Sequence, residues 1–307
     1  MPYFIILYIL IMPFLHSNLY FKFKIFLLRK NWFYSVIMNV MKTIKINSIT
    51  RQTNANNLNE LRNELGISSD MLTIYKGFAT NDNIALNDND SVVFIKKGEM
   101  PPKEFLEEMM SSRNSPEINI ALKSAKVGVA GLGGLGSNVA IALARVGVSY
   151  LKLVDFDTVD PSNLNRQQYF IKDIGRFKTE ALSETLSLIN PFVKVEFETI
   201  RLEETNVNEV FQKCDVVAEC FDNPKSKAMI INSLTKKMIV AASGMAGYGR
   251  NEDIKTIKMA NNLYVCGDLV SAASIGNGLM APRVGICAMH QANKILEILI
   301  DKVKQNG

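Results

Sequence analysis

Lys126-Val127-Gly128-Val129-Ala130-Gly131-Leu132-Gly133-Gly134-Leu135-Gly136-Ser137 is the stretch that decides how this 307-residue chain is read. An apolar strand, Val127–Ala130, runs into a glycine-rich turn, and the turn opens a helix predicted over Ser137–Val146. Gly131 permits a tight turn, and Gly133 lets backbone amides approach a phosphate. Gly136 lets the helix pack against the sheet, while the helix N-terminus adds partial positive charge. A second strand, Tyr150–Val154, ends at Asp155, nineteen residues after Gly136 and placed to accept hydrogen bonds from ribose hydroxyls. This arrangement suits NAD, FAD and adenylate binders alike.

Outward from the turn, strands and helices alternate. Lys178–Leu188 reads as a helix stopped by Asn190-Pro191, followed by a strand at Lys194–Thr199. Asp215–Cys220 and Met238–Ala242 are apolar runs of buried-strand length, and Val284–Asp301 is a long amphipathic closing helix. Alternation of this kind predicts a Rossmann-like, mostly parallel α/β sheet with helices on both faces over 126–307.

Upstream the period changes. Thr43–Asn47 alternates as a half-buried strand, and Ile49–Ala55 reads as its hairpin partner. Asn57 caps a short helix through Leu58, Leu61 and Leu65, which Gly66 ends. Strands at Met71–Tyr75 and Ser91–Ile95 complete a small ubiquitin-like β-grasp domain over 41–100. Met100-Pro101-Pro102 begins a linker, with a short helix at Glu104–Met110, over 101–125.

Residues 1–40 are foreign to the rest. They hold the chain's only Trp, Trp32, and the bases Lys22, Lys24, Arg29 and Lys30 with no acid, so most of the net charge of +5 resides there. The apolar run Tyr3–Leu15 is short of the roughly 20 residues that span a bilayer and is broken by Pro13. The reading adopted is a mis-called start with Met41 opening the protein, a membrane anchor being the alternative. The remainder is near neutral, so the high pI is no evidence that the body binds nucleic acid. Four cysteines without a C-x-x-C pair (Cys214, Cys220, Cys266, Cys287) exclude a disulfide scaffold and predict no zinc site.

Beyond Asp155 the sequence departs from what a dehydrogenase needs. It continues through Ser162-Asn163-Leu164-Asn165-Arg166-Gln167-Gln168, then Gly175-Arg176-Phe177-Lys178 and Glu219-Cys220-Phe221-Asp222-Asn223. Over roughly residues 113–302 this set resembles the ThiF/MoeB superfamily of ubiquitin-activating-type adenylyltransferases. The likeness is strongest to the short ThiF-like enzymes of thiamine biosynthesis, and the β-grasp segment resembles the sulfur carrier ThiS.

The resemblance implies adenylation of the C-terminal glycine of a ThiS-like carrier by ATP, with sulfur then supplied by a donor protein. It implies a cytoplasmic homodimer without nucleic acid or membrane partners. By the same resemblance Gly131, Gly133, Gly134, Gly136 and Asp155 bind the nucleotide. Asn163, Arg166 and Lys178 bind phosphates, and Asp222 holds Mg2+. Arg113 would serve the partner subunit's ATP, and Cys266 is a candidate covalent nucleophile. His290 reads as a packing residue. The fused β-grasp segment departs from a carrier, because its end, Lys96-Lys97-Gly98-Glu99, runs on instead of stopping at a Gly-Gly carboxylate. Three other readings stay open: a tRNA threonylcarbamoyladenosine dehydratase, a non-catalytic nucleotide-binding scaffold, and an NAD-dependent oxidoreductase.

Overall fold

The computed structural model describes residues 41–306, so the expectation for residues 1–40 lies outside the described residues. The chain divides into two compact units between Phe105 and Leu106.

In the first unit β1 (Lys42–Ile46) and β2 (Ile49–Thr53) form an antiparallel hairpin. Its two-residue loop, Asn47-Ser48, takes positive φ at both positions, the geometry that matches the twist of paired strands. Helix α1 (Leu58–Glu64) is capped by Asn57, whose side chain accepts the Glu60 N–H at 2.9 Å. Gly66 follows at φ +64. Strands β3 (Leu72–Tyr75), β4 (Phe78–Ala79) and β5 (Ser91–Ile95) complete a sheet of order β2-β1-β5-β3-β4, with β1 and β5 parallel. Ile44, Leu58, Leu61, Val92 and Phe94 fill the space between sheet and helix. The two-residue β4 was too short to announce itself by alternation.

Helix α2 (Lys103–Ser111) carries the division between the units. The second unit adds α3 (Pro116–Ser124), which the sequence reading left inside the linker, and then the sheet. Strands β6 (Lys126–Ala130), β7 (Tyr150–Val154), β8 (Lys194–Glu198), β9 (Val216–Glu219), β10 (Met238–Ala242), β11 (Lys255–Ala260) and β12 (Leu263–Gly267) lie in the order β11-β12-β10-β9-β6-β7-β8. All pairings are parallel except β11 with β12. That terminal hairpin was not anticipated, because Lys255, Lys258 and Asn261-Asn262 break up its apolar pattern.

Helices α4 (Gly134–Val146), α5 (Lys178–Ile189) and α8 (Ala281–Asn306) share one core with one face of the sheet. On the other face, residues of α6 (Val207–Val210) and α7 (Pro224–Ser233) join Phe211 in a second core. Helix α4 begins three residues earlier than expected. The Ser137 amide and hydroxyl both donate to the Gly133 carbonyl, at 3.0 and 2.7 Å, so the glycine turn itself supplies the first helical turn.

Gly128 on β6 is required by packing. A Cβ there would stand 2.4 Å from Cδ1 of the Phe211 ring, which is fully buried. Gly128→Ala is expected to lower stability by about 2 kcal/mol, the usual cost of overfilling a core. Urea unfolding measures it, and Phe211→Leu in the same chain should recover part of the loss.

Candidate functional site

The sheet changes winding direction at β6. The chain steps from β6 to β7 and β8 on one side, then returns to place β9 on the other. Ligands in open parallel sheets bind in the crevice beyond the carboxyl ends of strands at such a switch. Here a cleft opens at that point, lined by Gly131, Gly133, Gly134, Asp155, Arg166, Lys178 and Asp222 among others.

The glycines have separate duties. Gly131 sits at φ +87, and a Cβ on it would press on the Cys220 carbonyl oxygen and the Phe221 ring, each at 3.1 Å. Gly134 lies under Val284 and the Arg166 side chain. Gly136 is the most constrained, because a Cβ would lie 1.9 Å from the Gly131 carbonyl oxygen. It does not line the cleft. Gly133 alone faces open space, with Gln167 Nε2 at 3.8 Å as the nearest atom. That is the position where a phosphate can approach the backbone.

Asp155 closes the turn. One carboxylate oxygen accepts the Leu132 N–H at 2.6 Å and the other accepts the Asp157 N–H at 2.8 Å. Burial raises its pKa, opposed by the Lys178 charge and these two amides. Lys178 is the first residue of α5, so its ammonium is held beside a helix N-terminus. It is nearly buried and pairs with Asp157 at 3.1 Å. Arg166 donates to the Ser162 carbonyl at 3.2 Å and to Asn165 Oδ1 at 2.8 Å, which sets its guanidinium along the cleft edge. Asp222 is exposed at the end of β9 with no hydrogen-bond partner among the described residues.

Besides Gly136, three expected residues lie outside the cleft. Asn163 does not line the cleft; its side-chain oxygen accepts the Asp160 N–H at 3.1 Å, and it braces the short 3-10 turn that carries Arg166. Arg113 is exposed in the turn between α2 and α3, outside the cleft. Cys266 is placed away from the cleft as well. It is fully buried on β12 beside Thr256 Oγ1 at 3.5 Å, and burial pushes its thiol pKa up, away from the thiolate. The other three cysteines are buried as well. His290 bonds through Nδ1 with Thr256 Oγ1 at 3.1 Å.

The sequence reading missed other contributors. Gln167 is almost fully buried, lines the cleft, and leaves its Oε1 without a partner. Arg201 lies 4.1 Å over the Phe156 ring, and with Ile200 and Leu202 this pair makes a flat, partly apolar wall suited to a heterocyclic base. The signal for Arg201 was available, since it follows β8 at the same end of the sheet as the glycine turn.

Among the described residues no group of three or more His, Cys, Asp or Glu side chains could hold a metal by itself, and no helix is long and apolar enough to cross a membrane.

A glycine turn on the first strand of a switch point, an acid closing it, and an Arg, a Lys and an Asp lining the same cleft make up the candidate site. The ThiF family model matches residues 108–307, and the chain belongs to that family, within the ThiF/MoeB superfamily. A model for ThiS-like ubiquitin matches residues 41–98, so a ubiquitin-like domain precedes the Rossmann-like α/β sheet. Relatives include the adenylyltransferase and sulfurtransferase UBA4 of Eremothecium gossypii, 31% identical over 191 residues, or 59% of this chain and 42% of that one. UBA4 of Candida albicans is 32% identical over 197 residues, or 60% of this chain and 44% of that one. The chain thus spans less than half the length of these relatives. Among solved structures, the Escherichia coli tRNA N6-threonylcarbamoyladenosine dehydratase TcdA in complex with ATP shares the fold. Its TM-score is 0.62 at 19% identity, with 68% of this chain and 100% of that chain covered.

Proposed function

We propose that this protein is an ATP-dependent adenylyltransferase that activates the C-terminal glycine of a ThiS-like sulfur carrier for thiazole synthesis in thiamine formation. The observation that carries the reading is that Arg166, Lys178 and Asp222 line the same cleft as the glycine turn. Support comes from the adenylyltransferase relatives and from the ThiS-like domain in the same chain.

In the reaction a carboxylate oxygen of the carrier attacks the α-phosphorus of ATP. A new O–P bond forms, the bond to the bridging oxygen breaks, and pyrophosphate leaves with that electron pair. Both reactants are anions, so the protein's task is alignment and charge neutralisation. Arg166 and Lys178, both lining the cleft, oppose the phosphate charge, and Gly133 admits a phosphate to the helix N-terminus. Gln167 offers an amide at the same place. Asp155 accepts from the ribose, and the Phe156–Arg201 wall faces the base. Asp222 is the residue that would hold Mg2+, which binds through one or two carboxylates plus phosphates and supplies further neutralisation. Sulfur transfer to the acyl-adenylate falls to a donor protein, since every thiol of this chain is buried. The active species is a homodimer in the cytoplasm, with the exposed Arg113 directed to the partner subunit's nucleotide.

Carrier-dependent ATP–pyrophosphate exchange by the full chain tests the reading. Exchange should require a carrier ending in Gly-Gly and fall at least about 100-fold in Arg166→Ala and in Asp222→Ala. Tight ATP binding without exchange for any carrier would overturn it in favour of a scaffold or a small-carboxylate substrate.

A further inference from the structure

The loop that presents Asp222 is held from beneath by an ion pair between the buried Glu219 and the partly buried Lys227, which the chemistry above does not use. Glu219, the last residue of β9, is fully buried. Both its carboxylate oxygens accept from Lys227 Nζ, at 3.0 and 2.9 Å, and Oε1 also accepts the Phe221 N–H at 2.7 Å. Lys227 spends a third hydrogen bond on the carbonyl of Ala242, the last residue of β10, at 2.7 Å. Gln291 of α8 reinforces the same place, donating to the carbonyls of Glu219 and Val240 at 3.0 Å each. The carboxyl ends of two neighbouring strands are therefore tied by side chains from α7 and α8.

Lys227 also closes a circuit. Asn223 caps α7 by accepting the Ser226 N–H at 2.8 Å, so Lys227 stands in the first turn of the helix that follows the loop. It reaches back to the strand that precedes the loop. Cys220 N–H donates to the Ala130 carbonyl at 2.9 Å, which fixes the loop's floor on β6 beside Gly131. Residues 220–223 are thus pinned at both ends and below, and only the Asp222 carboxylate projects without a partner. A charged pair is a poor choice for stability alone, because burying it sacrifices hydration that mutual attraction scarcely restores. A purely structural need would be met as well by apolar side chains of similar volume.

We infer that Lys227, acting through Glu219, is a positioning residue for adenylation that holds the Asp222 loop against the glycine turn. The inference rests on the adenylyltransferase reading for its catalytic consequence, but its structural part can be tested without it.

The decisive variant is Lys227→Met with Glu219→Leu in the full chain, which removes both charges yet keeps the interior filled. Lys227→Arg is the conservative control. Amide hydrogen exchange over residues 220–223 should quicken about tenfold in the apolar double variant and stay near wild type in Lys227→Arg. The turnover of carrier-dependent exchange should fall about 30-fold, with the KM for ATP changed by less than about threefold. The magnesium concentration for half-maximal rate should rise about fivefold, and Lys227→Arg should restore turnover to within about threefold of wild type. Unchanged loop protection in the folded double variant overturns the inference. So does a loosened loop with unaltered turnover and magnesium dependence. Should wild type itself show no carrier-dependent exchange, the adenylation reading fails. The positioning role is then judged on loop protection and on the magnesium dependence of ATP binding, and unchanged values overturn it too.

Discussion

Gly136→Ala is expected to destabilise the protein by about 4 kcal/mol and to abolish ATP binding, although the substitution adds a single methyl group inside a helix. In most helices alanine improves on glycine by close to 1 kcal/mol. Here the new carbon would lie 1.9 Å from a backbone carbonyl oxygen, that of Gly131, whose amide is itself bonded to the Val154 carbonyl at 2.9 Å. No side-chain rotation relieves such a contact, so the turn must open or the helix must shift along the sheet. Gly133→Ala makes the informative partner. Its Cβ meets nothing closer than 3.8 Å, and its φ of −75 with ψ of −149 lies only just outside the extended region, so the loss of stability should be much smaller than in Gly136→Ala. ATP affinity should nonetheless drop about tenfold or more, a difference of about 1.4 kcal/mol, because the methyl occupies the phosphate's approach. Urea unfolding and equilibrium ATP binding read the two effects. Equal loss of stability in both variants would show that the turn is only a packing device.

Lys178→Met should lower kcat/KM for carrier-dependent exchange about 1000-fold, corresponding to about 4 kcal/mol of transition-state stabilisation. Stability should change by less than about 1 kcal/mol, because the Lys178–Asp157 pair has an exposed acid and is screened. The same variant has a pH signature. Burial places the pKa of Asp155 above its value in the unfolded chain, and Lys178 works against that rise. Between the two values the folded state binds more protons, so the contribution of Asp155 to stability declines as pH increases through that window. ATP affinity runs the other way. A ribose needs the ionised acceptor, and affinity is lost as pH falls through the raised value. Removing Lys178 lifts the pKa further, so the acid limb of ATP affinity should move to higher pH, with Lys178→Arg holding it near wild type. An acid limb that stays in place would remove Asp155 from the nucleotide contacts.

The parallel sheet was legible because its signals are local: buried apolar runs of strand length, the Asn190-Pro191 stop, and a glycine turn between strand and helix. Tyr150–Val154 and Met238–Ala242 coincide with β7 and β10 residue for residue. The β11–β12 hairpin was not legible, since its outer strand is mostly exposed and reads as polar connection. Arg166, Lys178 and Asp222 could be picked out by their order after the glycine turn, whereas Gln167 could not. Its interest comes from being buried with an unsatisfied oxygen, a property of three-dimensional surroundings that no spacing encodes. Cys266 shows the converse. In sequence it follows a glycine-rich stretch and invites a chemical role, yet pairing with β10 places its side chain in the interior. Lys227 was not singled out in the sequence: its partner Glu219 opens the quoted Glu219–Asn223 motif eight residues upstream, but the contact with the Ala242 carbonyl depends on the neighbouring strand.

The closing helix has a consequence for the order in which the protein matures. Val284 packs over Gly134 and lines the cleft, Gln291 ties β9 to β10, and Ile295 and Leu299 join the core shared with α4. The glycine turn leaves the ribosome about 150 residues before these partners, and synthesis proceeds at about 5–20 residues per second. For several seconds the nascent chain therefore carries its glycine turn without the surface that packs over it. Nucleotide capture must wait until α8 has been made, and ATP cannot serve as an early template for folding this sheet.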